Sequence, residues 1–174
     1  WKTADMIEHV QDEIRLKVPD GESVLCALSG GVDSTVVGKL LTDTLGAKRV
    51  HCVFVDTGLL RKHEYEDVLK IYADLGLNVK GVDAEALFLE RLAGKSDPEE
   101  KRKIIGHAFI DVFKKEIESI TKAAAGKGLP IKWLAQGTLY PDVIESVNLN
   151  GASVTIKSHH NVGGLPSKMK FKLV

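Results

Sequence analysis

The sequence predicts the α/β class: a three-layer α/β/α fold around a twisted, mostly parallel sheet of five strands. Three observations predict it. Short, continuous apolar runs recur along the chain, among them SVLCAL at 23–28, VHCVFV at 50–55 and IKWLA at 131–135. Runs of this kind mark strands buried on both faces. The stretches between them return apolar residues at helical spacing. The most unusual segments, SGGVDS, DTG, QGTLYPD and KSHHNVGG, lie at or just after the ends of predicted strands, where open α/β sheets bind ligands.

The elements follow in order. Residues 3–17 carry Met6, Ile7, Val10, Ile14 and Leu16 at roughly helical spacing. After the strand at 23–28 and its Gly-rich turn, VVGKLLTDTL is a helix that Gly46 is placed to stop. The strand at 50–55 leads through DTGLL to a helix over 63–75, with Tyr65, Val68, Leu69, Tyr72 and Leu75 on one face and Gly76 at its end. A short strand is predicted at 78–82 and a helix at 84–93. The next helix has the clearest start: Asp97 as N-cap, Pro98 at the first helical position and Glu100 at capping-box spacing. Its apolar stripe runs through positions 104, 105, 108, 109, 112, 113, 117 and 120, and Gly126 and Gly128 close it. Trp133 and Phe109 read as core. A fourth strand at 131–135 and a possible fifth in VTIK complete the sheet.

A chain of 174 residues with 44% hydrophobic content suits one domain, taken here as residues 1–174, and is not a disordered composition. No apolar run approaches the ~20 residues of a membrane span, and the polar start WKTADMIEHVQDEI carries no signal-peptide pattern. Cys26 and Cys52 lie in apolar runs and make no disulfide framework, so a cytoplasmic setting is expected. Lys plus Arg equals Asp plus Glu, at 24 each, which argues against a dedicated nucleic-acid binder. The balance conceals a gradient: residues 146–174 hold four lysines and no acid, leaving the first 145 at −4. A basic end suggests a local anionic ligand.

The turn at 29–34 carries the chemistry. A Gly-rich strand-to-helix turn points backbone N–H groups at one place, and the helix dipole adds partial positive charge. Gly30 and Gly31 permit close backbone approach, and Ser29 and Ser34 offer hydroxyls. Phosphate or pyrophosphate fits such a cradle. Asp33 would repel it unless a cation such as Mg2+ lies between. The Lys of the Walker A loop and the spacing of the dinucleotide fingerprint are both missing. The plainer alternative is a tight turn with Ser and Asp as helix caps.

SGGVDS in this setting resembles the PP-loop of the N-type ATP pyrophosphatases. VFVDTGLLRKHE, LAGKSDPEEKRKIIGHAFI, KWLAQGTLYPDVIES and TIKSHHNVGGLP, in this order, look like the ATP pyrophosphatase domain of the GMP synthetase family. The resemblance runs from Trp1 to Val174. It implies an adenine nucleotide alpha hydrolase-like fold and a ligase reaction with ATP as co-substrate and Mg2+ as cofactor. In that reaction xanthosine monophosphate (XMP) is adenylylated at O2, and ammonia then displaces AMP to leave GMP. It implies that Ser29, Gly30, Gly31, Val32, Asp33 and Ser34 hold the pyrophosphate portion, with Asp33 near the metal, and that Val55 and Gly137 border adenine. Lys157, Ser158, His159 and His160 match the family's lid, and Asp142 and Glu145 the acidic part of the same region. Asp33, Lys157, His159 and His160 are the implied catalytic set, and Arg102 and Lys103 would meet a nucleotide phosphate. Residues 142–170 are expected to be mobile without XMP. Asp142 and Glu145 also fit a capping box, and a basic run such as Lys101–Lys103 is more usually a solvated face.

The family also joins a glutamine amidotransferase domain, or works with such a subunit, and homodimerises through a C-terminal domain. Neither feature is expected within these residues, because Cys26 and Cys52 are strand residues rather than nucleophiles and the family continues beyond a segment like KFKLV. The other readings are another PP-loop synthetase, such as an NAD synthetase, and a nucleotide-binding fragment without full turnover.

Overall fold

A computed structural model describes residues 3–136 and 171–174. Its elements run α1 (Thr3–Lys17), β1 (Ser23–Leu28), α2 (Val32–Leu45), β2 (Val50–Asp56), α3 (Glu64–Asp74), β3 (Val79–Asp83), α4 (Glu85–Leu92), α5 (Pro98–Gly126), β4 (Ile131–Gln136) and β5 (Lys172–Leu173). The strands form one sheet in the order β3-β2-β1-β4-β5. Every pairing is parallel, with Cys26 opposite Cys52, Cys26 also opposite Ala135, and Cys52 opposite Val79.

Strand residues alternate between two cores, as a sheet covered on both faces requires. Val24, Cys26, Leu28, Val50, Cys52 and Phe54 pack with Ile14 of α1, Leu41 of α2 and Tyr72 of α3. Leu25, Val53 and Val55 pack with Phe88 of α4 and with Ala108, Phe113 and Ile117 of α5. Strand β4 breaks its own alternation: Ile131 joins the second core and Trp133 the first. The break coincides with a register shift in which Ser23 faces Ile131 but Val24 faces Trp133, so exposed Lys132 is an extra residue. Trp133 donates its indole N–H to Glu22 Oε2 at 2.7 Å and lies beneath Lys172 Nζ, 5.2 Å from the ring.

The helix ends show the expected chemistry with one difference. Asp97 accepts the Glu100 N–H at 2.7 Å and Pro98 opens α5. The Glu100 carboxylate takes Lys95 Nζ at 2.6 Å instead, so half of the capping box forms. The lysine outcompetes a backbone amide because two formal charges attract more strongly than a charge and a dipole. Gly46, Gly76 and Gly128 adopt φ of 84°, 74° and 74°, the left-handed region that ends helices. The third strand and fourth helix fall at Val79–Asp83 and Glu85–Leu92, one residue from expectation at every end. The VTIK segment lies outside the described residues; the fifth strand described is Lys172–Leu173, with Val174 N–H bonded to Leu134 O at 3.2 Å.

Candidate functional site

Strand β1 ends at Leu28 and α2 begins at Val32, so three residues make the turn. Gly30 sits at φ +83°, while Gly31 is extended at φ −83°, ψ 164°. Only Gly30 therefore needs the left-handed freedom of glycine. Gly31 is the N-cap of α2 and no side chain caps this end, which excludes Ser and Asp as helix caps here.

The hydrogen bonds of the turn divide its amides into two sets. Ser29 N–H donates to Ser34 Oγ at 3.1 Å, Gly30 N–H to Tyr72 Oη at 3.2 Å, and Gly31 N–H to Ser29 Oγ at 3.4 Å. Ser34 Oγ donates to Gly31 O at 3.1 Å and Thr35 Oγ1 to the same carbonyl at 2.8 Å. The helix ladder starts with Thr35 N–H on Gly31 O at 3.2 Å. The N–H groups of Val32, Asp33 and Ser34 have no acceptor among the described residues. They are the open first-turn donors of α2, and the dipole concentrates positive potential there. Val32 is 77% exposed and Asp33 and Ser29 are exposed, so the approach is open. Ser34 is only 6% exposed, with its hydroxyl spent inside the turn; its amide is the group that faces the site.

The neighbouring strand end is shaped by turns rather than free charges. Asp56 Oδ1 accepts the Gly58 N–H at 2.8 Å, and Asp83 Oδ1 accepts the Glu85 N–H at 3.1 Å. The two aspartates are register partners on β2 and β3. Val55 is buried in the second core, so only its backbone can border a ligand. Tyr65 stacks on Phe54, with centroids 5.6 Å apart and planes at 20°, and Tyr72 meets the same ring edge-on at 5.8 Å. Burial first, and then the charges of Asp56, Asp83 and Glu66, push the Tyr65 phenol above its usual pKa.

Arg102 and Lys103 are exposed on the first turns of α5. Helix α5 returns the chain to parallel β4, so these turns lie at the same end of the sheet as the Gly30 turn, against the opposite face. Arg102 already pairs with Glu99 at 2.5 Å. Gly137, Asp142, Glu145, Lys157, Ser158, His159 and His160, and the expectation of mobility over 142–170, lie outside the described residues. Sequence reasoning missed Thr35 and the Tyr72 hydroxyl. Tyr72 shares the apolar face of α3 and reads as core; its hydroxyl reaches the turn because helical side chains lean toward the helix N-terminus, here the ligand end of the sheet.

Asp33 can serve a cation. Its carboxylate is exposed beside the open amides and holds no hydrogen bond among the described residues, which also contain no group of three or more His, Cys, Asp or Glu able to cage a metal. One carboxylate beside a phosphate site fits Mg2+, which keeps waters and shares its ligands with phosphate oxygens.

A family model described as NAD synthase matches residues 4–106, which include the turn, α3 and the start of α5. The chain is 64% identical over 170 residues to a GMP synthase [glutamine-hydrolyzing] of Bdellovibrio bacteriovorus, covering 95% of this chain and 32% of that protein. It is 56% identical over 174 residues to the enzyme of that name from Christiangramia forsetii, covering 100% and 32%. The chain thus spans about one third of the length of these relatives. Among solved structures, the NH3-dependent NAD synthetase from Campylobacter jejuni, in complex with the nitrate ion, superposes with a TM-score of 0.58 at 19% identity, over 84% of this chain and 61% of that one. At that identity the likeness speaks for the fold: a parallel sheet with helices on both faces. No helix among the described residues is long and apolar enough to cross a membrane.

Proposed function

The chain belongs to the NAD synthase family of PP-loop ATP pyrophosphatases, and on that premise we propose that it is the ATP-pyrophosphatase part of a GMP synthase. The single observation that carries the proposal is the set of open amides at Val32, Asp33 and Ser34 beside a turn whose other amides are already hydrogen-bonded. The acceptor is assigned from the 64% and 56% identity to GMP synthases.

In the proposed reaction O2 of XMP attacks the α phosphorus of ATP, the bond to the β-phosphate oxygen breaks, and pyrophosphate leaves. Ammonia then attacks C2 of the adenylylated nucleotide and AMP departs, giving GMP. Negative charge grows on pyrophosphate as the bond breaks, so donors fixed on it bind the transition state more tightly than the ground state. The three amides and the dipole of α2 supply those donors. Mg2+, held by Asp33, would neutralise phosphate charge. The backbone at Val55 and at Gly137 borders adenine in this reading. Lys157, Ser158, His159 and His160 close over the nucleotides with Asp142 and Glu145, and Arg102 and Lys103 take the XMP phosphate once Arg102 exchanges Glu99 for it.

Ammonia reaches the site from an amidotransferase domain or subunit that hydrolyses glutamine. Cys26 and Cys52 do not serve that step, because they are 0% and 1% exposed, and the neighbouring Cys52 thiol first, and then burial, hold the Cys26 thiol well above its ordinary pKa. A thiol kept protonated is a poor nucleophile. Free buried thiols suit the cytoplasm, where we place the protein.

The test is pyrophosphate release from ATP and Mg2+ in the intact protein with XMP and ammonium. Release that requires XMP, with GMP as product, is expected. Release driven instead by a deamidated NAD precursor would move the chain to the amide-forming NAD synthetases, and no release with either acceptor would sink the enzymatic reading.

A further inference from the structure

We propose that Tyr72 and Thr35 are positioning residues for the anion turn: their hydroxyls hold the Gly30 amide and the Gly31 carbonyl, and so fix the backbone that aims the next three amides. Tyr72 is 1% exposed and comes from α3, 42 residues along the chain from the amide it receives. Its Oη accepts Gly30 N–H at 3.2 Å and lies 3.5 Å from Thr35 Oγ1. Thr35 has one hydroxyl proton, and the nearer acceptor is Gly31 O at 2.8 Å. At the longer contact Thr35 Oγ1 is again the donor, so that contact is the weaker branch of one proton and Tyr72 Oη accepts from both partners. The Tyr72 oxygen thus holds the Gly30 amide, the Thr35 hydroxyl holds the Gly31 carbonyl, and the 3.5 Å contact ties the two side chains together.

The two hydroxyls hold the two peptide groups that decide where the turn points. Gly30 is the left-handed residue, and the peptide before a left-handed glycine can rotate at little cost. Without Tyr72 Oη its N–H would lack an acceptor on a half-buried residue. At the other end the Gly31 carbonyl receives Ser34 Oγ, Thr35 Oγ1 and Thr35 N–H. With both ends pinned, the Val32, Asp33 and Ser34 amides keep one common direction before any ligand arrives. Pre-organisation of this kind lowers the ordering cost of binding. The inference rests on the pyrophosphate reading above for its purpose, though not for its geometry.

The experiment uses the intact protein and three variants. Tyr72→Phe keeps the ring against Phe54 and deletes the oxygen. Thr35→Val deletes the other hydroxyl on a partly exposed residue, and Thr35→Ser restores it. Amide exchange at Gly30 is read by nuclear magnetic resonance, and inorganic pyrophosphate binding by calorimetry with Mg2+. Tyr72→Phe should speed Gly30 exchange about tenfold relative to a distant helical amide, and both deletions should weaken pyrophosphate about three- to tenfold, the range expected of one hydrogen bond. Thr35→Ser should bind within about twofold of the parent. Unchanged exchange and affinity in both deletion variants would overturn the positioning role, and so would a Thr35→Ser protein as weak as Thr35→Val, which would assign the effect to packing. A parent protein that binds no pyrophosphate would overturn the proposed function and the purpose given to the two hydroxyls, while the Gly30 exchange rates would still report whether Tyr72 holds the turn.

Discussion

Asp33 is a residue with nothing structural to lose. It lies exposed in the first turn of α2 and accepts no capping hydrogen bond. Its only favourable local term is attraction to the helix dipole, worth about 0.3–1 kcal/mol at an exposed site. Replacing it with Asn should lower stability by less than about 1 kcal/mol. Mg2+-dependent pyrophosphate release should fall by about two orders of magnitude or more, the scale of losing one electrostatic group at a reacting phosphate. Denaturant melts and turnover measured on the same preparation separate the two effects; parallel losses would show that Asp33 is a structural residue after all. Gly30 makes a different case, since its φ of +83° is a demand on the backbone, and a Cβ built there would stand 3.5 Å from Phe54, ordinary contact. Gly81 is constrained by space: an added Cβ would lie 2.4 Å from Tyr65 Oη.

At the scale of elements, α5 depends on its first turn. Twenty-nine residues start from one cap, the Asp97 carboxylate on Glu100 N–H, with Pro98 supplying a pre-set φ. Asp97→Ala should cost about 1 kcal/mol, read as a shift of the urea midpoint at constant slope; no shift would mean that Lys95 and Glu100 already hold the turn through their ion pair. This start was legible in the sequence because caps use local chemistry, fixed within four residues. Strands β1 and β2 were legible for a related reason: burial on both faces leaves no polar alternation to misread. The site was legible only in part. The anion turn announced itself through its glycines, whereas Tyr72 and Thr35 act through a contact 37 residues apart in the chain, which no local pattern encodes. The β4 irregularity at Lys132 escaped for the same reason, since register belongs to a pair of strands.

Across the whole molecule, the two ends of the sheet serve different needs. The carboxyl end collects the open amides, while the amino end holds His51, whose Nδ1 lies 3.4 Å from Asn78 Nδ2 and whose Nε2 has no partner among the described residues. Burial first, and then the charge of Lys127 beyond α5, lower the His51 pKa below its ordinary 6.5. The folded protein therefore binds fewer protons at this group than the unfolded chain does, so stability is complete above about pH 6.5 and declines as pH falls toward the folded pKa. Thermal melts between pH 7.5 and about pH 5 should show that decline, and His51→Asn should flatten it; an identical slope in the variant would assign the acid sensitivity to carboxylates elsewhere.

The central place of β1 also sets a timetable. Val24 meets Val50 on one side and Trp133 on the other, so the second pairing closes about four times as much chain and costs roughly 1.2 kcal/mol more in closure entropy. Native contacts of shorter span are reached first. The half-sheet β1-β2-β3, with α2 and α3 above it, already contains Gly30, Thr35 and Tyr72. The anion cradle thus belongs to a part of the polypeptide that emerges in synthesis before β4, and it can be assembled while β4 and β5 are still awaiting their places at the other side of the sheet.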